Sequence, residues 1–183
     1  MASRYDDELW RLVPKDPGPP PAHLIEFVRG LGRAERALDL GCGDGRLTAE
    51  LDAAELTAAD VSAVALERAR RRLPGARLVE LKPDAPLPLE DAAFDVVLCA
   101  ETIEHVRDVQ LLLSEIRRVL RPRGTLALTT PAHLPLERPP DPLSPHLRQF
   151  TRRSLSLLLD DMGFEIASLR RCSGTLLTVA TRP

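Results

Sequence analysis

The sequence predicts a doubly wound α/β fold of seven strands, mostly parallel, ending in an antiparallel C-terminal hairpin. Three observations predict it. Short apolar runs at residues 37–40, 56–60, 77–81, 94–100, 125–130, 165–169 and 175–181 alternate with segments of helical period, the pattern of parallel strands joined by crossover helices. A glycine-rich turn follows the first run, where such sheets meet polar ligands. Residues 170–174, between the last two runs, are too few for a crossover, so that pair turns back antiparallel. It is read as the only pair of successive strands without a helix between them.

The helices carry their own start and stop signals. Ser62 is an N-cap, Leu66, Ala69 and Leu73 share one face, and Pro74-Gly75 terminates. A second helix, residues 107–120, places Val109, Leu112, Leu113 and Ile116 on one stripe, with Asp108 at its positive end and Arg117, Arg118 and Arg121 at its negative end. A third follows Thr151 and stops at Gly163, with Leu155, Leu158, Leu159 and Met162 at helical spacing. His23 begins an N-terminal helix. Two stretches dense in proline, 14–21 and 131–145, read as loops because proline removes a backbone donor and fixes φ.

At 183 residues the chain fits one domain, 1–183, with an N-terminal extension at 1–21 and a proline-rich lid at 131–150. An apolar content of 44% and a charged content of 28% exclude a disordered or collagenous chain. No run suits a membrane span and the N-terminus lacks a signal-peptide core, so a cytoplasmic location and no membrane partner are expected. Cys42, Cys99 and Cys172 form no C-x-x-C pair and read as buried small residues. A net charge of −2 and an aromatic content of 3% make a nucleic-acid partner less expected than a small molecule.

The sharpest signal is Leu38-Asp39-Leu40-Gly41-Cys42-Gly43-Asp44-Gly45-Arg46. A strand ends, glycines allow a tight turn and close ligand approach, and a helix is expected to begin with its free N–H groups facing outward. Asp60 closes the next strand, where a carboxylate can accept both hydroxyls of a ribose. The spacing is that of a nucleoside-type cofactor site. A P-loop is excluded because no Gly-Lys-Ser/Thr follows.

With these residues the sequence resembles the class I methyltransferases that use S-adenosylmethionine, whose sheet is Rossmann-like, over roughly residues 24–183. Residues 37–47 match the first motif of that family and Asp60-Val61-Ser62 the acidic end of its second strand. Pro83-Asp84-Ala85 looks like its adenine-binding segment, and Leu120-Arg121-Pro122-Arg123-Gly124-Thr125 its turn into strand five, with Arg123 where glycine is usual. The resemblance implies S-adenosylmethionine as cofactor. Gly41 and Gly43 would approach its methionine part, Asp39 its amino group and Asp60, with Val61, the ribose. Asp84 and Ala85 would hold the adenine, and Ala100 would line the sulfonium end.

Glu101-Thr102-Ile103-Glu104-His105 follows the fourth strand. As a helical turn it places Glu101, Glu104 and His105 on one face. The pattern is similar to that of two metal-using groups, the small-RNA 3′-terminal 2′-O-methyltransferases and the ubiquinone-pathway O-methyltransferases. His146, five residues before Thr151, stands where the RNA group has its remaining histidine. Two readings stay open. Glu101, Glu104, His105 and His146 hold a divalent ion such as Mg or Mn, which would lower the pKa of an acceptor hydroxyl. Alternatively the glutamates cap helix amides, and His105 or His146 is the general base.

The lid is the expected acceptor-binding segment, its length being unusual for an unstructured connection. Arg138, Arg148, Arg152 and Arg153 form either an anion site or a solvated basic patch. His133 faces either substrate or solvent. Tyr5 and Trp10 either fold over the cofactor or anchor the N-terminal segment to outer helices. The expected function is methyl transfer to an oxygen of a small-molecule acceptor, with catalytic His105, His146 and Glu101. Two alternatives remain: a metal-dependent RNA 3′-terminal 2′-O-methyltransferase, and a non-catalytic S-adenosylmethionine-binding sensor or partner protein.

Overall fold

The computed structural model describes residues 2–133 and 146–183, with side chains from Tyr5 onward. Its strands are β1 (Ala34–Leu40), β2 (Ala53–Asp60), β3 (Arg77–Glu80), β4 (Phe94–Ala100), β5 (Leu120–Pro131), β6 (Glu165–Cys172) and β7 (Thr175–Thr181). They form one sheet in the order β3-β2-β1-β4-β5-β7-β6. The first five are parallel, and β7 runs antiparallel to both β5 and β6. Strand order reverses between β1 and β4, which opens a crevice at their C-terminal ends.

The helices are α1 (Ala2–Leu12), α2 (Ala22–Arg29), α3 (Ala63–Arg72), α4 (Val109–Val119) and α5 (Arg152–Asp161). Three carry side-chain caps: α3 and α5 start where expected after Ser62 and Thr151, whereas α4 starts at Val109 rather than 107, with Asp108 as its cap. Ser62 accepts from Ala65 N, Asp108 from Leu111 N, and Thr151 from Ser154 N. α4 and α5 bury Leu113, Ile116, Leu155 and Leu159 against Leu126 and Leu128 of β5. On the opposite face α2 buries Leu24, Phe27 and Val28 against Leu98, Ala127 and Leu177. Each such side chain contributes about 1.5–3 kcal/mol. None of the helices among the described residues is long and apolar enough to cross a membrane.

Four local expectations are corrected. The hairpin is not alone in lacking a helix: β1 reaches β2 through a single 3-10 turn, Thr48–Glu50, and β3 reaches β4 through loop 81–93. Pro83, Pro86 and Pro88 remove the donors a helix would need in that loop. Arg118 of α4 secures it instead, donating to the carbonyls of Leu87 and Leu89, while Leu87 N donates to Glu115. The extension at 1–21 contains α1, which its polar sequence did not announce. β5 begins at Leu120 rather than 125. Its pairing to β4 jumps from Phe94↔Leu120 to Val96↔Thr125, so the intervening residues bulge and Arg123 takes a left-handed φ of 64°. Cys42 and Cys99 are buried as expected, whereas Cys172 is only half-buried.

The β6–β7 connection is a two-residue turn, Ser173 (φ 48°) and Gly174 (φ 84°), with both residues left-handed as a tight hairpin requires. Of the proline-rich lid, Pro131 ends β5 and Ala132 bridges Phe150. Residues 134–145, Arg138 among them, lie outside the described residues.

Candidate active site

The crevice is walled by the turn after β1. Gly41 and Gly43 have φ of 81° and 55°, and neither tolerates a side chain. A Cβ on Gly41 would lie 2.5 Å from Thr102 Cγ2, and one on Gly43 2.6 Å from the Trp10 ring. The helix expected after this turn is replaced by the 3-10 turn Thr48–Glu50, and the turn's own amides are not free. Gly41 N and Cys42 N donate to Ala59 O at 2.8 and 3.0 Å, and Gly43 N donates to Asp60 Oδ2 at 2.8 Å. The turn is therefore clamped to the end of β2.

Asp60 is buried, and its other oxygen accepts from Ser62 N at 2.9 Å. Burial pushes its pKa up, against the pull of the Ser62, Gly43 and Val61 amides. Three backbone amides act on a carboxylate with about four acceptor sites, so it is oriented without being saturated. Asp39, 1% exposed, accepts from Thr48 Oγ1 at 2.6 Å; burial, with the Asp60 charge adding, pushes it up to about 7. Ala100 ends β4 in the same crevice and is buried, and Val61 beyond β2 is half-buried. Asp84 is exposed in a left-handed conformation (φ 52°), with Ala85 half-buried beside it. Asp84 borders a cleft of about 470 Å³ shared with Arg107, Arg148, Gln110 and Phe150.

The acidic residues after β4 do not share one helical face. Glu101 is left-handed (φ 49°), and only Ile103–His105 form a 3-10 turn. Neighbouring threonines of β5 hold the two carboxylates. Thr129 Oγ1 donates to Glu101 Oε1 at 2.8 Å, and Thr130 Oγ1 donates to Glu104 Oε2 at 2.9 Å. Successive strand residues point to opposite faces, so Glu101 lies on the α2 side of the sheet and Glu104 on the α4 side.

On that second side Glu104, His105 and His146 converge, with one ligand atom from each lying within 4.8 Å of the others. The carbonyl of Glu104 accepts from Leu147 N and Arg148 N at 2.8 and 3.2 Å, which draws His146 in. The imidazoles meet edge to face with centroids 4.8 Å apart. Glu104 is 1% exposed, and its Oε1 has no hydrogen-bond partner among the described residues. That atom lies 3.9 Å from His105 Nε2. Burial raises both glutamates and lowers His146, whose shift is reinforced by the nearby His105. Glu101 stands outside this trio, so the structure groups three of the four residues proposed as ligands.

His23, in the first turn of α2, lies on the Glu101 side. Its Nε2 is 3.4 Å from Thr175 Oγ1, and its charge is felt at Glu101. Its place at a helix start was readable, but its neighbourhood depends on the β5–β7 pairing, which no local signal encodes. His133 N donates to Phe150 O at 2.8 Å. The arginines separate: Arg148 lines the cleft beside Asp84, whereas Arg152 and Arg153 line another of about 630 Å³ between α5 and β6. Tyr5 is exposed, and Trp10 lies against the glycine turn.

Residues 38–128 match a family model described as a methyltransferase domain. The chain is 35% identical over 149 residues to a probable S-adenosylmethionine-dependent methyltransferase of Mycobacterium tuberculosis, covering 78% of this chain and 54% of that protein. It is 31% identical over 132 residues to a trans-aconitate 2-methyltransferase of Paracidovorax citrulli, covering 70% of this chain and 47% of that one. The chain thus spans about half the length of these curated relatives. Among solved structures, an S-adenosylmethionine-dependent methyltransferase from Aquifex aeolicus superposes with a TM-score of 0.72 at 19% identity, covering 90% of this chain and 94% of that one. That likeness concerns the fold. Sheet order, glycine turn, terminal acid and sequence matches agree: the chain belongs to the class I S-adenosylmethionine-dependent methyltransferases.

Proposed function

We propose that the protein transfers a methyl group from S-adenosylmethionine to an oxygen of a small-molecule acceptor. The observation that carries the choice of oxygen is the Glu104–His105–His146 trio beside the end of β4. Hydroxyl acceptors need a proton removed, and an imidazole with a pKa near 6.5 is suited to take it at neutral pH.

The residues present fit the cofactor. Gly41 and Gly43 take left-handed backbones with Thr102 and Trp10 packed against them, which keeps the turn tight, and Asp60 is a fixed acceptor at its rim. When bound there, S-adenosylmethionine supplies an already activated methyl group. The chain has to align and deprotonate. Gly41 and Gly43 set the backbone close, Asp60 orients a ribose, Asp84 and Ala85 serve the adenine, and Ala100 borders the reacting end. His105 or His146 accepts the acceptor's proton through a ring nitrogen. Glu101, fixed by Thr129, borders the acceptor space from the other face of the sheet.

A second reading is favoured by the buried, unbonded Glu104 Oε1. Glu104, His105 and His146 offer one carboxylate and two imidazoles, a donor set suited to Mn or a similar divalent ion. A cation held there would lower the pKa of an acceptor hydroxyl. One assay tests both readings: transfer of labelled methyl to a panel of hydroxyl acceptors, with chelator, and with chelator followed by added Mg or Mn. Transfer indifferent to chelator supports the imidazole base, and loss rescued by the ion supports the cation. Methylation of amines or carbons alone, or of RNA 3′ ends, contradicts the acceptor assignment.

A further inference from the structure

Several arginines that hold this fold meet a carboxylate: Arg46 and Arg72 pair with Asp44, Arg118 with Glu115, and Arg121 with Asp95. Arg107 and Arg148 enter no ion pair among the described residues. Both line the cleft of about 470 Å³ beside the loop that carries Asp84. Two guanidinium groups facing one concavity repel each other, and an anion between them turns that repulsion into attraction.

The two arginines are laced together by backbone bonds. Arg148 Nη2 donates to Arg107 O at 2.5 Å, while Leu147 N and Arg148 N donate to Glu104 O at 2.8 and 3.2 Å. Buried Phe150 accepts from His133 N at 2.8 Å and bridges Ala132, which ties the segment to the end of β5. A guanidinium carries several N–H donors in a planar fork. Arg148 spends one on the Arg107 carbonyl, and Arg107 spends none among the described residues. Each arginine also follows one of the paired imidazoles by two residues, Arg107 after His105 and Arg148 after His146. Cα atoms two apart lie at most about 7 Å from one another, so a single small molecule can touch both pairs.

The cleft holds two acids as well, and neither cancels the guanidinium pair. Asp108 caps α4, its Oδ1 accepting from Leu111 N at 2.9 Å, and the positive end of that helix offsets its charge. Asp84 serves the adenine in the function proposed above. A volume of about 470 Å³ falls within the roughly 300–1,000 Å³ of small-molecule sites, and Val109, Phe150 and Leu158 give the cleft an apolar wall.

We propose that Arg107 and Arg148 bind an anionic group of the methyl acceptor, a carboxylate or a phosphate, and so turn its hydroxyl toward His105 and His146. This rests on the hydroxyl methylation proposed above and names its acceptor class: a small hydroxylated molecule with an anionic arm. Paired N–H bonds from a guanidinium to an oxyanion fix orientation as well as adding affinity, and a neutral alcohol receives neither.

Calorimetric titrations of the full chain loaded with S-adenosylhomocysteine test the proposal with two matched pairs of probes. 4-Hydroxybenzoate against its methyl ester reads a carboxylate, and 4-hydroxyphenyl phosphate against hydroquinone reads a phosphate. Wild type is compared with Arg107→Ala, Arg148→Ala and Arg148→Lys, with circular dichroism as the check on folding. In wild type the anionic member of at least one pair binds about tenfold or more tightly than its neutral partner. Either alanine removes most of that preference, and Arg148→Lys, which keeps the charge without the planar fork, retains part of it. A wild type that prefers neither anion, or a preference that persists in either alanine variant, overturns the proposal and leaves methyl transfer standing. Wild type that does not bind S-adenosylhomocysteine overturns the functional reading itself, and the anion site with it.

Discussion

Replacing Arg118 by alanine should release the loop that carries Asp84 and Ala85. The guanidinium donates to Leu87 O at 3.0 Å, Leu89 O at 2.8 Å and both oxygens of Glu115 at 2.9 and 2.8 Å, and it also reaches Asp91. Alanine would leave the Glu115 carboxylate, whose side chain is 11% exposed, without its countercharge, and two loop carbonyls without donors. Charge-assisted bonds are worth about 1.5–3 kcal/mol each, but they are not additive and water replaces some of them. The expected loss is about 3 kcal/mol, or roughly 6–12 °C in Tm for a chain of this size. Lysine keeps the charge but not the planar fork, so Arg118→Lys should recover less than half.

The effect has a pH signature. The Arg118 hydrogen bonds hold the Glu115 carboxyl below its ordinary value of 4.5. A depressed carboxylate stabilises the fold fully above that value, and the contribution fades as pH falls through the folded-state value. The gap between wild type and variant in urea unfolding should therefore be constant from pH 6 to 8, on the order of 3 kcal/mol, and shrink below about pH 4. A gap under about 1 kcal/mol at neutral pH, or one that does not narrow in acid, would refute the latch.

The remaining predictions are shorter. Arg123→Gly should stabilise by about 0.5–1 kcal/mol in urea, because a left-handed φ of 64° strains any residue with a Cβ, while Arg123→Ala should be nearly neutral. Asp39 is raised from 3.8 to about 7. The folded state thus holds a proton the unfolded state lacks, and stability should fall between pH 4 and 7, by at most about 4 kcal/mol. Asp39→Asn should flatten that slope, and an unchanged slope would reject Asp39 as its source. Glu104→Gln should lower the methyl-transfer rate, and His105→Ala should lower it by about 100-fold. An unaltered rate in both variants would remove the trio from catalysis.

Much of the fold was legible because its signals are local. Ser62 and Thr151 announce helix starts through their own side chains, and the limits of β4 and β7 follow from apolar runs bounded by polar or turn residues. α1 was not legible, because its anchors lie across the chain in Ser62 and Val64, which donate to Asp7, and in Arg68, which lies over Trp10. Within the site, Glu104, His105 and His146 are brought together as their spacing suggested. Glu101 departs because it adopts a left-handed backbone, which a glutamate does not signal. Its side is then set by Thr129, a residue on another strand. The glycine turn was legible as a turn, but its amides bond to Ala59 and Asp60, partners fixed by the β1–β2 register.

The central claim is that the glycine turn and Asp60 form a seat for an adenosyl sulfonium. Isothermal titration of wild type and of Asp60→Asn with S-adenosylmethionine tests it most directly, since asparagine preserves the size of the side chain and can still accept from Ser62 N. The account predicts one site per chain in wild type and an affinity about 10- to 100-fold weaker in a folded Asp60→Asn, about 1.4–2.8 kcal/mol. No binding heat in wild type, or equal affinity in both proteins, would contradict it.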